Sequence, residues 1–200
     1  MNLAPITLFV YNRLWHTQQT IEALQKNELA SESELFIYAD GVKNEKLDDQ
    51  VLEVRSYIKE VGGFSKVTII ERDKNWGLAA NIIDGVTNVV NQYGKIIVME
   101  DDLVTSPYFL KFMNDALKFY KNEPKVWHVS GYTPPLKGIK QHFFIKPTTC
   151  WGWATWDDRW IHFKKDTKNI LNKFDEKRIS DFNMNKTYDY YSHIVLNHDN

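Results

Sequence analysis

Residues 95–102, Lys-Ile-Ile-Val-Met-Glu-Asp-Asp, join an apolar run to three consecutive carboxylates. The run Lys95–Met99 predicts a buried strand that ends at the acidic triplet Glu100-Asp101-Asp102. Like charges at the end of a buried strand repel each other, and loss of water makes their ionisation more costly. A divalent cation such as Mg²⁺ or Mn²⁺ would offset that cost, since it binds one or two carboxylates together with phosphate oxygens. The alternative is a solvated acidic turn in front of the helix that Pro107 opens.

Three similar strand-then-helix units precede this strand. Apolar runs predict the strands and one-sided apolar spacing predicts the helices, a fourth of which follows the triplet. The predicted strands are residues 6–11, 35–39 and 67–70, and the predicted helices are 17–26, Leu47 to Val61, 78–90 and 108–120. Parallel strands need crossover connections, so the order predicts an α/β fold, an α/β/α sandwich with a mainly parallel central sheet.

The last third of the chain has a different pattern. We expect a loop at Pro134-Pro135, a strand at His142–Ile145, and a helical stripe formed by Trp153, Trp156, Trp160 and Phe163. No repeat and no Gly/Ser-rich linker is found, which favours a single domain over residues 1–200. Because the helical pattern is unfinished at Asn197–Asn200, we expect the chain to be truncated at its C-terminus.

Composition narrows the class of protein. Lys and Arg number 25 against 26 Asp and Glu, a formal net charge of -1, so nucleic acid is not expected as a partner. The single cysteine, Cys150, cannot form an internal disulfide, which favours the cytoplasm. Residues 1–10 lack the basic start of a signal peptide, and no apolar run reaches the roughly 18 to 20 residues of a spanning helix.

Ligands of parallel α/β sheets bind outside the carboxyl ends of the strands. The polar residues that follow the predicted strands are therefore expected to converge. They are Asn12, Arg13, Asp40, Asp73 and the triplet Glu100-Asp101-Asp102.

Several segments together resemble a known family. They are residues 6–13 (ITLFVYNR), 38–41 (YADG), 75–78 (NWGL) with Asn81, 98–103 (VMEDDL) and 107–109 (PYF). In order and spacing they resemble nucleotide-sugar-dependent glycosyltransferases of the Rossmann-like GT-A fold, over nearly the whole chain. The EDDL segment is most similar to the N-acetylglucosaminyltransferase I family, and residues 150–156 (CWGWATW) are similar to bacterial enzymes that build surface polysaccharide.

The resemblance implies an inverting glycosyltransferase that moves a sugar from a UDP-sugar to a glycan or lipid-linked acceptor. Residues 1–105 would form the nucleotide-binding half and 106–200 the acceptor-side half. Asp102 would ligate Mn²⁺ or Mg²⁺. The implied nucleotide-sugar contacts are Tyr11, Asn12, Arg13, Asp40, Asp73, Gly77, Asn81, Glu100 and Asp101. Arg13 also suits a surface cation and Asn81 a polar helix position, and on local sequence alone Asp40 suits a turn residue as well as a base contact.

The tryptophan segment and the acceptor base have alternative interpretations. We expect Trp151 and Trp153 to contact a sugar near the Gly152 turn, and Trp156 and Trp160 to lie in the core. The nearest candidates for the base are Asp157 and Asp158, which equally suit a helix cap or an ion pair with Arg159. Asp189 and Asp199 are further candidates. Our preferred expectation is a base beyond Asn200.

The sequence leaves open two rival functions and peripheral contact of the tail with a membrane. A sugar-1-phosphate nucleotidyltransferase would have a Gly-rich loop after the first strand, whereas residues 11–15 contain no glycine. A non-enzymatic nucleotide-sugar binding module would need no acidic triplet. The lysine-rich tail from Trp160 to Arg178 favours a solvated surface over peripheral contact with an anionic membrane.

Overall fold

The computed structural model describes residues 3–43, 48–133, 138 and 141–199. The expected helix position Leu47 and the Pro134-Pro135 loop lie outside those residues. The chain forms two compact units, Met1–Ile161 and His162–Asn200. The sequence predicts one domain, and its functional division at residue 105 stays a prediction.

The first unit is built on a six-stranded sheet. Its strands are β1 (Ile6–Val10), β2 (Glu34–Ala39), β3 (Lys66–Glu71), β4 (Lys95–Glu100), β5 (Val129–Ser130) and β6 (Trp153–Trp156). The spatial order is β3-β2-β1-β4-β6-β5. The first four strands are parallel, and β6 pairs antiparallel with both β4 and β5. The predicted α/β fold with a mainly parallel sheet is confirmed.

Helices cover both faces of this sheet. They are α1 (Leu14–Gln25), α2 (Asp48–Ile58), α3 (Leu78–Tyr93) and α4 (Phe109–Phe119), followed by the single turn α5 (Asp157–Trp160). One buried cluster joins α1, α2 and α4 to the sheet, and a second joins α3 to the opposite face. The predicted helices all exist with slightly shifted ends, because one-sided apolar spacing locates a helix better than its termini.

Strand alternation supplies both cores. On β1, Leu8 belongs to the cluster under α1, α2 and α4, whereas its neighbour Phe9 belongs to the cluster under α3. Full burial of each such side chain stabilises the fold by about 1.5–3 kcal/mol. Helix α3 lies close to the sheet at Gly85, where a Cβ would lie 2.7 Å from Phe9 Cε1.

The segment after residue 126 corrects two predictions. Residues 153–156 form strand β6, so the helical stripe predicted from Trp153 to Phe163 is wrong. Trp153, Trp156 and Trp160 have the i, i+3, i+7 spacing of a helix face, but they lie on a short strand followed by one helical turn. Pairing of residues 153–156 with β4 distinguishes this arrangement from a continuous helix. Trp156 is buried as predicted, and its Nε1 donates to the Leu117 carbonyl at 3.2 Å. The strand predicted at 142–145 is also wrong, since these exposed residues pair with no strand in the described part of the chain.

The second unit contains three short helices, α6 (Thr167–Leu171), α7 (Glu176–Phe182) and α8 (Tyr190–Asp199). Asp166 and Asp175 cap the first two, accepting from the backbone N–H groups of Asn169 at 3.1 Å and Arg178 at 2.8 Å. Phe174 holds the unit together through edge contacts with Phe182 and Tyr191. Across the described residues of both units, none of the helices combines the length and apolarity needed to cross a bilayer.

Candidate active site

The acidic triplet lies where the strand order of the sheet reverses. From β1 the chain adds β2 and then β3 on one side, and β4 pairs with the other side of β1. Such a switch point leaves a crevice at the carboxyl ends of the two central strands. Arg13 follows β1 and the triplet ends β4, so they face each other across this crevice.

Arg13 bridges two of the three carboxylates. Its Nη2 donates to Asp101 Oδ1 and, at 3.1 Å, to Asp102 Oδ2. Asp101 is buried, with 4% of its surface exposed, and its carboxylate also accepts from the Tyr11 backbone N–H. The Asp101 backbone carbonyl accepts from Thr20 Oγ1 at 2.9 Å. Asp101 is thus fixed from three directions and in turn orients Arg13.

The triplet keeps a surplus of negative charge. Burial raises the pKa of Glu100, and the neighbouring carboxylates of Asp102 and Asp101 raise it further. Burial also raises the pKa of Asp101, although Arg13 opposes that change. Three carboxylates therefore face one guanidinium, and the site as described is short of positive charge.

Asp102 is the exposed member of the triplet. Its side chain is 43% exposed and lines a groove beside α4. Across the residues that the structure describes, no three His, Cys, Asp or Glu side chains are grouped as a metal site. One or two carboxylates suffice for Mg²⁺ or Mn²⁺ when phosphate oxygens complete the shell. The exposed Asp102 oxygen and the uncompensated charge beside it fit that donor set.

Asp40 organises a second part of the crevice, at the end of β2. Its buried carboxylate accepts from the backbone N–H groups of Gly41 at 2.9 Å, Trp76 at 2.8 Å and Gly77 at 3.0 Å. It thereby holds the turn that leads into α3. Gly77 has a φ of +74°, a conformation that favours glycine. This matches the turn interpretation of Asp40, and its contact with a nucleotide base stays a prediction.

Arg72 is a site residue that sequence reasoning missed. It lies 4.0 Å from the Trp76 ring centroid, ion-pairs with Asp84, and donates from Nε to Asn81 Oδ1 at 2.9 Å. We singled out Asp73 instead, which is exposed. A usable signal was present: Arg72 directly follows β3, and its two polar partners are spaced i, i+3 on α3.

Tyr11 and Asn12 do not join the acidic cluster through their side chains. Asn12 Nδ2 donates to Gln50 Oε1 at 3.1 Å. The Tyr11 hydroxyl is buried and has no hydrogen-bond partner within the described chain. Their predicted contacts with a nucleotide sugar stay predictions.

A groove of about 1900 Å³ extends from Asp102 along α4. Trp151 lies on its edge, half-exposed, with its ring 4.5 Å from that of Tyr132. Gly152 has a φ of +67°, which confirms the turn predicted there. Trp153 does not line the groove, because strand alternation turns it to the other sheet face, where it stacks on His128 at 5.2 Å. Of the two tryptophans expected to contact a sugar, the structure brings Trp151 to the groove.

Cys150 is exposed and lies near the acidic triplet. Burial raises the pKa of its thiol, and the charges of Glu100 and Asp102 raise it further. A thiol with a raised pKa stays protonated at neutral pH, so it is a poor nucleophile. Cys150 is therefore not a candidate nucleophile.

Asp157 and Asp158 lie far from the acidic triplet. Trp156 is opposite Lys95, at the start of β4, and Glu100 is five residues further along that strand. At about 3.3 Å per residue the separation is about 17 Å. Asp158 pairs with Arg159, as its alternative interpretation had it. The structure therefore does not bring these two candidates for the base to the site.

The remaining candidates for the base, Asp189 and Asp199, belong to the second unit. Asp189 caps α8 in the second unit, accepting from the Ser192 backbone N–H at 3.2 Å. The side chain of Asp199 lies outside the described residues. A base beyond Asn200 stays a prediction.

Comparison with known proteins identifies the family. The model of glycosyl transferase family 2 matches residues 6–127, more than half of the chain. The chain belongs to glycosyl transferase family 2, and its mostly parallel mixed sheet is the GT-A fold of such transferases. Among curated proteins none matches the chain.

Three solved structures are similar to parts of the chain. GlyE of Streptococcus pneumoniae TIGR4 is 10% identical over 91% of this chain and 43% of its own, with a TM-score of 0.47. The mannosyltransferase PcManGT of Pyrobaculum calidifontis, in complex with GDP-Man and Mn²⁺, is 12% identical over 64% and 34%, with a TM-score of 0.43. TarS of S. aureus is 16% identical over 60% and 19%, with a TM-score of 0.41. The chain thus spans less than half the length of each of these proteins.

Proposed function

We propose that the chain is an inverting glycosyltransferase. It transfers a sugar from a nucleoside diphosphate sugar, with UDP favoured, to a glycan or lipid-linked acceptor, assisted by Mn²⁺ or Mg²⁺. One observation carries the proposal: Asp102 is exposed on the groove wall, beside the part-buried Arg13–Asp101 pair at the sheet's switch point. UDP is favoured by the resemblance of residues 100–103 to the N-acetylglucosaminyltransferase I family.

The acidic end of β4 holds the donor in this proposal. Asp102 ligates the cation, which when bound neutralises charge that develops on the departing diphosphate. Asp101 is held by Arg13 and the Tyr11 N–H, so the neighbouring metal ligand Asp102 needs little reorganisation when the cation binds. Glu100 extends toward the donor sugar and ribose.

The turn held by Asp40 frames the nucleotide end of the crevice. Gly77 leaves its backbone open, since no atom lies within 4 Å of where a Cβ would be. Asn81 accepts a hydrogen bond from the Arg72 guanidinium and acts through it. The same end of the sheet also carries Tyr11, Asn12 and Asp73. In this proposal these residues bind and orient the base and ribose.

Trp151 is the proposed acceptor-side contact. Its half-exposed ring on the groove edge offers an apolar face to a sugar. None of the described candidates Asp157, Asp158 and Asp189 is assigned as the base that takes the proton of the acceptor hydroxyl, and the position of that base stays a prediction. We place the protein in the cytoplasm, because its single cysteine, Cys150, is free. Peripheral membrane contact of the lysine-rich tail is tested by liposome flotation.

Two rival functions give different results in one assay. A nucleotidyltransferase would bind a sugar phosphate and a nucleoside triphosphate, and family membership disfavours it. A binding module would bind UDP-sugar without ever releasing UDP. Slow release of UDP from UDP-sugar, measured with a coupled assay, therefore supports a transferase over a module.

Calorimetry of UDP binding tests the donor site. We expect Mn²⁺ to strengthen binding, and Asp102→Ala to weaken the Mn²⁺-dependent part by at least about tenfold. The matched control is Asp157→Ala, an exposed aspartate at the other end of the same sheet, which should bind like the wild type. Unchanged UDP–Mn²⁺ binding in Asp102→Ala would refute the proposed donor site.

A further inference from the structure

The groove along α4 is larger than a single sugar needs. Pockets for one small ligand usually enclose about 300–1000 Å³. This groove has a volume of about 1900 Å³, and its lining continues from Asp102 to Phe119 at the far end of α4 and to Lys125 beyond it. The 11 residues of α4 span about 16 Å at 1.5 Å per residue. The groove therefore has room for an extended occupant besides the donor sugar.

Aromatic rings concentrate at both ends of the groove. Near the acidic triplet, the Trp151 and Tyr132 rings meet edge to face at 4.5 Å. At the far end, the Tyr120 ring contacts Phe119 at 4.8 Å and Phe144 at 5.4 Å. Phe119 is 79% exposed and Phe144 is 67% exposed, so both offer ring surface to a ligand. Exposed apolar surface of this kind on a groove wall is typical of a binding site.

Polar side chains also line the groove. Ser130 and Thr149 share a hydrogen bond of 2.6 Å between their hydroxyls, and Gln141, Thr148 and Lys118 also line the wall. A hydrocarbon chain would strip water from these groups without replacing its hydrogen bonds. A sugar chain would not, because each ring has weakly apolar faces and a rim of hydroxyls. The mixed lining favours carbohydrate over a lipid tail.

The groove is also continuous with the donor site. Asp102 belongs to both, and Gly152, next to Trp151, lies close to Met99 and Phe109 at the end of β4 and the start of α4. An occupant of the groove therefore presents one end to the place where the sugar is transferred.

We propose that the groove beside α4 binds a glycan acceptor several sugar units long. The end that receives the new sugar lies on Trp151, and the preceding units lie on the aromatic cluster Phe119, Tyr120 and Phe144. This assignment of direction rests on the proposed function, whereas binding of the glycan itself does not.

Oligosaccharide ladders test the proposal without donor. Malto-, chito- and manno-oligosaccharides of one to six units are titrated against the protein by saturation-transfer NMR and calorimetry, with farnesyl monophosphate as a lipid probe. The variants are Trp151→Ala at the near end and Phe119→Ala and Phe144→Ala at the far end. Tyr188→Ala, an exposed aromatic of the second unit, is the matched control. UDP–Mn²⁺ binding is measured on every variant.

We expect affinity for at least one ladder to rise with length. Phe119→Ala and Phe144→Ala should each weaken the hexasaccharide by about fivefold, the loss of one aromatic contact, and leave the disaccharide and UDP–Mn²⁺ unchanged. Trp151→Ala should weaken every length, and Tyr188→Ala none.

Three results would overturn the proposal. The first is a protein that binds UDP–Mn²⁺ but binds no oligosaccharide of any ladder at about 10 mM. The second is an affinity that does not change with oligosaccharide length. The third is displacement of the hexasaccharide by farnesyl monophosphate at a concentration below that of the hexasaccharide. Glycan binding with normal length dependence but no UDP–Mn²⁺ binding would instead support the glycan groove and refute the proposed donor site.

Discussion

Replacing Arg13 with alanine leaves the buried Asp101 carboxylate without its guanidinium partner. Removing one member of a fully buried ion pair costs about 3–5 kcal/mol, whereas an exposed pair contributes about 0–1 kcal/mol. The Asp101 side chain is 6% exposed and that of Arg13 is 45% exposed, so the pair lies between these limits. Water can enter the space left by Arg13 and hydrate part of the carboxylate. We therefore expect a loss of about 2 kcal/mol, which lowers Tm by about 4–8 °C in a chain of this size.

The loss should depend on pH in a defined direction. Arg13 lowers the pKa of Asp101 against the larger effect of burial, so its removal raises that pKa further. A carboxyl group whose folded pKa exceeds its unfolded value stabilises the fold when protonated, and this contribution is lost as pH rises through the folded pKa. The deficit of Arg13→Ala is therefore largest at neutral and higher pH. It shrinks as pH falls below the folded pKa of Asp101 in the variant.

Thermal melts between pH 5 and 8, followed by circular dichroism, measure this deficit. Arg13→Lys keeps the positive charge and should recover most of the stability. Asp102→Asn removes the exposed contact alone and should cost less than about 1 kcal/mol. An Arg13→Ala protein that melts within about 1 °C of the wild type at pH 8, or whose deficit grows on acidification, would refute the reasoning.

Three further substitutions test other parts of the account. Gly41→Ala should weaken UDP binding in calorimetry, because the new Cβ would lie 2.2 Å from the Lys74 carbonyl carbon and displace the turn before α3. Gly62→Ala is the control, since no atom lies within 4 Å of its new Cβ. Asn27→Ala should cost about 2 kcal/mol in urea unfolding, because Asn27 Oδ1 accepts from the buried Leu110 N–H at 3.0 Å; the exposed Asn197→Ala should cost little. Asp158→Asn should keep wild-type release of UDP from UDP-sugar, since it lies about 17 Å from the triplet, and a large loss would restore it as a catalytic candidate.

The parallel part of the fold could be predicted because its signals are local. The apolar runs of β1 to β4 and the one-sided spacing of α1, α3 and α4 each lie within a few residues, and crossover connections then require a parallel sheet. Strand β6 could not be located in this way. Its four residues have a spacing that also suits a helix, and its place beside β4 depends on pairing between residues about sixty positions apart.

The site shows the same division between local and long-range information. The sequence predicted that Arg13 and the acidic triplet meet, because both directly follow strands of one parallel sheet. It offered Asp157 and Asp158 as candidates for the base because they follow the tryptophan segment, but the antiparallel direction of β6 carries them to the opposite end of the sheet. Arg72 was missed because its importance lies in its partners Trp76, Asn81 and Asp84, which meet only when α3 packs beside β3.

Anomalous diffraction from crystals soaked with UDP and Mn²⁺ tests the donor site most directly. The account predicts one manganese peak within bonding distance of an Asp102 carboxylate oxygen and of the diphosphate, with Arg13 still bound to Asp101. Diphosphate bound elsewhere on the protein, or manganese ligated without Asp102, would contradict it.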